Sequence, residues 1–243
     1  MRVCVLSDIH GNLHALDAVL AAIAEEAPDE IWCLGDLVGY GPRPNECCHL
    51  AQERTDLCLV GNHDLAVLER IGLEDFTHDA DAAARWTIRI LDDAARSYLE
   101  PLDPKGERAD AGLFHGSPRD PVWEYVLTRE AAVAAILEGP TDLTLVGHSH
   151  LALAFSLSGT VLAGDLAPEG TEVELDSAER WLLNPGSVGQ PRDGDSRASY
   201  LVLDLDARRA TFRRVEYPIG RTQAEIREQG LPESLAIRLE GGL

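Results

Sequence analysis

The sequence predicts an α/β fold, in which buried strands alternate with helices early in the chain and antiparallel strands follow later. Three observations favour this class. Short runs rich in Val, Leu and Ile recur through residues 1–150, and each ends in a polar residue. Apolar residues between the first two runs recur at helical spacing. After residue 150, apolar runs alternate with turns rich in Gly, Pro and Asp, which is typical of a second, more antiparallel sheet.

The early runs are predicted to be buried strands, because they are short and almost continuously apolar. They cover residues 2–7, 31–35, 57–60, 111–115 and 142–147. Between the first two strands, a helix is indicated by the spacing of Leu13, Leu16, Val19, Leu20 and Ile23. A strand, a helix and a second strand in this order predict parallel pairing. Ligands of open α/β sheets gather at the carboxyl ends of the strands, so the polar residues there mark the expected site.

The remaining segments complete the predicted architecture. Residues 65–110 are helical in composition and carry no strand signal, so we expect a helical cap insertion there. The later strands are predicted at 152–157, 171–175, 179–183, 199–205 and 210–216. Residues 221–243 predict a C-terminal helical tail, which Gly230 and Pro232 divide into two short helices. We interpret residues 1–243 as a single domain.

The overall charge restricts the class of partner. The formal net charge is −21, with 42 acidic against 21 basic side chains, which argues against binding extended nucleic acid through a broad basic surface. A small phosphorylated partner stays compatible with this charge. No stretch reaches the roughly 18 apolar residues of a membrane span, so no membrane partner is expected. The N-terminus carries no leader-like basic and apolar segment, which favours the cytoplasm.

Five short motifs carry candidate metal ligands at predicted strand ends. Asp8 and His10 follow the first strand, and a D-x-H pair alone is weak evidence for a metal. Gly-Asp at 35–36, Gly-Asn-His-Asp at 61–64, His-Gly at 115–116 and Gly-His-Ser-His at 147–150 repeat the arrangement. We expect these motifs to converge on one edge. The candidate ligands are Asp8, His10, Asp36, Asn62, His115, His148 and His150.

Seven candidate ligands are too many for one tetrahedral zinc ion. They suit two divalent ions that share a bridging carboxylate, an arrangement that catalyses displacement at phosphorus. The set contains carboxylates, an amide and imidazoles but no thiolate, which disfavours soft ions. Manganese is our first prediction for the metal, and iron, zinc and nickel are compatible with the same ligands.

These strings resemble the calcineurin-like metallophosphoesterase family, whose pattern is D-x-H, G-D, G-N-H-[DE], H and G-H-x-H. All five motifs occur in that order over residues 8–150. The string Gly39-Tyr40-Gly41-Pro42 and the string Asn184-Pro185-Gly186-Ser187 further resemble the bacterial YfcE-like and ApaH-related branch. The resemblance implies a four-layer α/β/β/α sandwich of two mixed β-sheets flanked by helices. It also implies a hydrolase with a binuclear metal centre.

The resemblance assigns roles to individual residues. One metal would be held by Asp8, His10, Asp36 and His150, and the other by Asp36, Asn62, His115 and His148. Asp36 would bridge the two ions, and a hydroxide between them would attack phosphorus in line. His63, the catalytic candidate beside Asp36, would stabilise the phosphate or protonate the leaving oxygen, a task that suits imidazole near neutral pH.

One departure from the family pattern restricts the substrate. Protein phosphatases and diadenosine tetraphosphatases of this superfamily continue the second motif as G-D-x-V-D-R-G, but this chain reads G-D-L-V-G-Y-G at 35–41. The acid and the arginine are therefore absent. Arg43 and Arg192 are candidate substitutes for that cation. Asn12 and His14, which follow the first motif, are further candidates for binding substrate at the rim of the site.

Several functions stay open on the sequence alone. A phosphodiesterase that acts on a small phosphorylated substrate, a nucleotide among the candidates, is the first prediction. A phosphomonoesterase, a protein phosphatase and a dinucleotide polyphosphate hydrolase are alternatives with the same centre. A nuclease would need a basic groove to bind nucleic acid, and the acidic composition argues against such a groove. A non-catalytic interaction scaffold on the same fold would have lost ligands, whereas all positions are filled here. The oligomeric state, a homodimer included, is open.

Overall fold

The computed structural model describes residues 1–243, which form two six-stranded sheets and eight helices. The strands are β1 (Arg2–Leu6), β2 (Glu30–Cys33), β3 (Leu57–Cys58), β4 (Lys105–Arg108), β5 (Ala111–Phe114), β6 (Leu143–Val146), β7 (Ala152–Ser158), β8 (Val161–Leu166), β9 (Glu172–Glu174), β10 (Arg180–Pro185), β11 (Ala198–Asp204) and β12 (Arg209–Val215). The helices are α1 (Leu13–Glu26), α2 (Pro44–Arg54), α3 (Asn62–Val67), α4 (His78–Ile90), α5 (Asp93–Leu99), α6 (Arg129–Glu138), α7 (Ile219–Glu228) and α8 (Glu233–Gly241).

Both sheets are mixed. The first sheet has the order β3-β2-β1-β11-β12-β9. Strands β1, β2 and β3 are parallel to one another, and β11 is antiparallel to both of its neighbours, β1 and β12. The second sheet has the order β4-β5-β6-β10-β7-β8, with β5, β6 and β10 parallel. The predicted α/β fold of two mixed sheets flanked by helices is therefore confirmed.

Alternation along β1 shows how the layers are built. Val3 and Val5 enter an apolar core together with Leu113, Leu145 and other residues of the second sheet. Their neighbours Cys4 and Leu6 point to the opposite face, where helices α1 and α2 cover them. Helix α6 covers the outer face of the second sheet in a third cluster. The order of layers is thus helix, sheet, sheet, helix.

The parallel strands of both sheets end on the same side of the molecule. The loops after β1, β2 and β3 carry the first three motifs, and the loops after β5 and β6 carry the other two. The expectation of one common edge is therefore corrected, because the motifs lie at the adjacent ends of two packed sheets. The packing of the two sheets is what brings them together.

The late strands also differ from the expectation of a separate second sheet. Strands β9, β11 and β12 join the first sheet, whereas β7, β8 and β10 join β5 and β6.

Two strands carried no signal in the sequence: β4 lies within the stretch expected to be wholly helical, and β8 is a largely exposed edge strand with no buried face. The tail forms the expected two helices, α7 and α8. None of the helices combines the length and apolarity that crossing a bilayer requires.

Candidate metal centre

The seven candidate ligands form one buried group at the junction of the two sheets. Each is at most 4 % exposed. Three groups of side chains have ligand atoms that all lie within 4.8 Å of one another. These groups are Asp8 with His10 and His150, His10 with Asp36 and His63, and Asp36 with His115 and His148.

The first group is built around Asp8 Oδ1. The Nε2 atom of His150 lies 3.4 Å from this oxygen, and the Nε2 atom of His10 lies 3.9 Å from it. The two imidazole nitrogens are 3.0 Å apart. Three potential ligand atoms thus face one small volume, as a metal ion requires.

The second group is built around the Nε2 atom of His115. Asn62 Oδ1 and His148 Nδ1 both lie 3.2 Å from this nitrogen. Asp36 Oδ2 lies 3.4 Å from it. These are the four residues that the family resemblance assigns to one ion.

Asp36 lies between the two groups. Its Oδ2 atom is 3.6 Å from His10 Nε2 in the first group and 3.4 Å from His115 Nε2 in the second. The same oxygen is buried and has no hydrogen-bond partner. A carboxylate oxygen in this position is suited to bridge two ions.

The histidine tautomers show that cations fit the centre. His10, His115 and His150 each place Nδ1 against a backbone carbonyl oxygen, at 3.1, 3.0 and 2.6 Å. Because a carbonyl only accepts, Nδ1 must carry the proton and donate it, which leaves Nε2 with a lone pair. The Nε2 atoms of His10 and His150 then face each other as two acceptors, with no hydrogen between them. A cation between such atoms resolves this repulsion.

In both carboxylates, one oxygen atom is hydrogen-bonded within the protein and the other has no partner. Asp8 Oδ2 accepts a hydrogen bond from the backbone N–H of His148, and Asp36 Oδ1 accepts one from that of His63. The second oxygen of each, Asp8 Oδ1 and Asp36 Oδ2, is buried without a partner. Burial raises the pKa of Asp8 to about 7, and burial together with the charge of Asp64 raises the pKa of Asp36 well above its usual range. Cations would offset this cost of burying two carboxylates.

The backbone of the ligand loops is strained at several of these residues. Asp8, His10, Asp36, His148 and His150 all adopt a positive φ, between 49° and 63°, which non-glycine residues rarely populate. His148 and His150 therefore do not lie on the extended segment expected from their spacing. Strain of this kind clusters at functional sites, because the surrounding structure must hold it in place.

His63 lies at the edge of the ligand group, at the start of α3. Its ring centroid is 4.9 Å from that of His10, 4.4 Å from that of Tyr40 and 4.9 Å from that of Phe76. Of its two ring nitrogens, only Nδ1 is fully enclosed without a partner. Burial lowers the pKa of His63, so the imidazole is neutral in the absence of a nearby anion.

The string at 184–187 supports the ligand loops from behind. Asn184 Nδ2 donates to the carbonyl oxygen of Gly147 and to Ser149 Oγ, at 2.8 and 3.0 Å. Ser187 Oγ donates to the carbonyl oxygen of Asp8 at 2.8 Å. The string therefore ties the first and last motif loops to one element.

The four candidate substrate-binding residues have different environments. Arg192 lies beside the centre: its Nη2 atom is 3.4 Å from the Tyr40 hydroxyl, and its guanidinium carbon is 5.8 Å from the centre of that ring. The Arg43 guanidinium instead binds Glu225 through two nitrogens, at 3.0 and 2.9 Å. His14 contacts the same carboxylate at 3.3 Å.

Asn12, the fourth of these residues, is engaged within the fold. Its Oδ1 atom accepts from the backbone N–H of Ala15 and so caps α1, and it also accepts from Thr222 Oγ1. Its Nδ2 atom donates to the carbonyl oxygen of Gly189. All its contacts stabilise the loops behind His10, and none reaches toward the ligand group.

Several aromatic residues lie at the rim of the site. Phe76 reaches His63 from the loop before α4 and forms an edge-to-face contact with Trp123, at 5.7 Å between centroids. Tyr125 stacks on His148 with 3.8 Å between centroids. The glycine-flanked Tyr40 was visible only as part of a string, and Phe76 had no signal because the loop before α4 is placed by tertiary packing.

The family follows from a comparison with known domains. Residues 1–208 match the model of the calcineurin-like phosphoesterase superfamily domain. The chain belongs to this superfamily. Calcineurin-like phosphoesterases are hydrolases that use divalent metal ions, and the buried Asp and His groups of this chain supply ligands of the right kind.

Several relatives share most or part of this calcineurin-like chain. A metallophosphoesterase from Sphaerobacter thermophilus has 43 % identity and a TM-score of 0.90, and the match covers 100 % of this chain and 99 % of that one. An uncharacterized protein from Methanocaldococcus jannaschii is 38 % identical over 98 % of this chain and 96 % of its own length. A symmetrical bis(5'-nucleosyl)-tetraphosphatase from Thioalkalivibrio sulfidiphilus is 30 % identical over 62 % of this chain and 58 % of its own length.

Proposed function

We propose that this protein is a phosphoesterase that depends on two divalent metal ions and hydrolyses a small phosphodiester. The observation that carries the proposal is the position of Asp36 Oδ2, unpartnered and within 3.6 Å of one imidazole from each ligand group. Manganese is the metal we expect, because carboxylate, amide and imidazole ligands suit it. Two ions at this centre would supply Lewis acidity and lower the pKa of water.

The protein's own side chains would bind and orient the phosphate. Arg192 has no carboxylate within 4.0 Å and lies against Tyr40, so its guanidinium is available to two phosphoryl oxygens. We propose Arg192 as the cation that replaces the absent arginine of the G-D-x-V-D-R-G pattern. Arg43 is bound to Glu225 and is not part of this proposal.

His63 is the proposed proton donor to the leaving oxygen. Burial keeps the imidazole neutral until the substrate binds, and a phosphate anion beside the ring then favours the protonated form. The exposed ring nitrogen, Nε2, is the one we expect to face the leaving oxygen. Tyr40 and Phe76 both pack against the ring and restrict its orientation.

A second candidate function is the hydrolysis of dinucleotide polyphosphates. Relatives named symmetrical bis(5'-nucleosyl)-tetraphosphatases favour it, and they support the predicted relationship to the ApaH-related branch. Against it stands the absence of the acid and the arginine after Asp36. The aromatic rim of Phe76, Trp123 and Tyr125 suits a nucleoside or an aryl group in either case.

The test begins with metal-stripped protein and bis(p-nitrophenyl) phosphate. We expect hydrolysis to return with Mn²⁺ and to be abolished in Asp36→Asn, whereas Asp17→Asn on the exposed face of α1 retains it. His63→Ala should keep its metal but lose most of its turnover, with the exposed His78→Ala as control. Full activity of Asp36→Asn would refute the shared bridging carboxylate. No hydrolysis of any phosphate ester with any metal would favour the scaffold alternative.

A further inference from the structure

Two arginines beside the centre converge on one neutral oxygen atom. Arg192 Nη2 lies 3.0 Å from Gln190 Oε1, and Arg238 Nη1 lies 3.3 Å from the same atom. Gln190 is 2 % exposed, so this amide is buried between the two guanidinium groups. Two cations are thus held near each other by an acceptor that carries no charge.

Neither arginine has a carboxylate to neutralise it within 4.0 Å, although the chain has twice as many acidic as basic side chains. The nearby Arg214 shows the usual solution, since it is buried in an ion pair with Asp193. Arg238 also has a buried Nε atom that lacks any partner. Asp79 is not a strong partner of Arg238. The pKa of Asp79 is lowered chiefly by hydrogen bonds from Ser234 and His78, and the charge of Arg238 contributes little. A partly buried pair of unpaired cations is costly unless an anion joins it.

The pair lies directly against the metal centre. The carbonyl oxygen of Gln190 accepts from His150 Nδ1 at 2.6 Å, and the backbone N–H of Arg192 donates to the carbonyl oxygen of His150. A group bound between the arginines is therefore next to the phosphate that the centre would hold. Arg238 comes from α8, which lies beyond the residues that match the superfamily domain. The C-terminal tail thus contributes a side chain to the rim of the site.

We propose that Arg238, together with Arg192, forms a subsite for a second phosphate of the substrate, with Arg192 contacting both this phosphate and the one that is hydrolysed. This inference rests on the proposed function and narrows its substrate class to small phosphodiesters that carry at least one further phosphate. Guanidinium groups bind phosphate through paired N–H donors, so each arginine can keep Gln190 with one N–H and present the others to the anion.

The test compares the binding of tripolyphosphate and of orthophosphate to Mn²⁺-loaded protein by titration calorimetry at a fixed concentration of free Mn²⁺. We expect the wild type to bind tripolyphosphate about tenfold or more tightly than orthophosphate, because the subsite adds charged hydrogen bonds. Arg238→Gln should reduce this ratio to about one, and Arg238→Lys should restore part of it. Arg221→Gln, an equal change of charge at an exposed position on α7, should leave the ratio as in the wild type.

The outcomes separate this inference from the proposed function. A wild type without a preference for tripolyphosphate, or an Arg238→Gln variant that keeps the wild-type ratio, would overturn the subsite. An equal loss of affinity for both anions would also overturn it, because Arg238 would then act only through the fold. If the protein prefers tripolyphosphate to orthophosphate but hydrolyses no phosphate ester, the subsite is supported and the proposed hydrolysis is refuted.

Discussion

Replacing Gly61 by alanine tests the geometry of the centre without removing any ligand. A Cβ atom at this position would lie 2.1 Å from Asp36 Oδ1 and 2.5 Å from His115 Cε1. The φ of Gly61 is −107°, so alanine fits its backbone and the effect of the substitution is steric alone. Both atoms belong to side chains of the second ligand group.

The size of the displacement sets the expected effect. Ordinary contact of a Cβ atom begins at 3.4 Å, so the Asp36 carboxylate must retreat by more than about 1 Å. Metal–ligand distances vary by only about 0.2 Å around their usual values. A misplacement of about 1 Å costs roughly 100-fold in activity, and overpacking costs about 1–3 kcal/mol of stability.

The assay measures bound metal by mass spectrometry after dialysis, together with turnover of bis(p-nitrophenyl) phosphate. We expect Gly61→Ala to stay folded, to retain less than its full metal and to lose about 100-fold in turnover. Gly220→Ala is the matched control, because nothing lies within 4 Å of its Cβ position on α7. Full metal content and wild-type turnover in Gly61→Ala would refute the described approach of Asp36 and His115 to this glycine.

Three further predictions concern pH and support of the site. Since Asp8 has a pKa of about 7 without metal, its protonation should weaken Mn²⁺ binding about tenfold as pH falls from 8 to 6, in a calorimetric titration. The Arg43 guanidinium lowers the pKa of Glu225, so Glu225→Gln should cost about 1 kcal/mol in urea unfolding at neutral pH. That difference should vanish as acid protonates wild-type Glu225 below its lowered pKa. Asn184→Ala removes three buried hydrogen bonds and should cost about 2–3 kcal/mol, measured by the same unfolding assay.

The local part of the fold could be predicted from the sequence. Each early strand is a short apolar run with its polar motif residue within about four positions of the strand end, so the strand and its motif are encoded within a few residues. The helix between β1 and β2 follows from apolar spacing, and Asn12 caps it. These signals are local in the chain and need no knowledge of long-range packing.

The long-range part could not be predicted in the same way. Strand β1 pairs with β11 across about 200 residues, and no local pattern states which of the late strands joins which sheet. Strand β8 has no buried face, so its residues lack the alternation that marks a strand. Arg43 and Arg192 were equal candidates in the sequence. Glu225, far along the chain, binds Arg43 and leaves Arg192 beside the centre.

The position of the candidate ligands at the junction of two sheets would link ion binding to the separation of those sheets. Each ligand group takes side chains from both: His150 of the second sheet joins Asp8 of the first, and His115 joins Asp36. A substitution that changes the volume of the core between the sheets, at Phe212 for example, would alter the distances between the candidate ligands although Phe212 is not one of them. Ions bound across the junction would in turn resist shear of one sheet against the other, so mechanical rigidity and chemical competence are properties of the same interface.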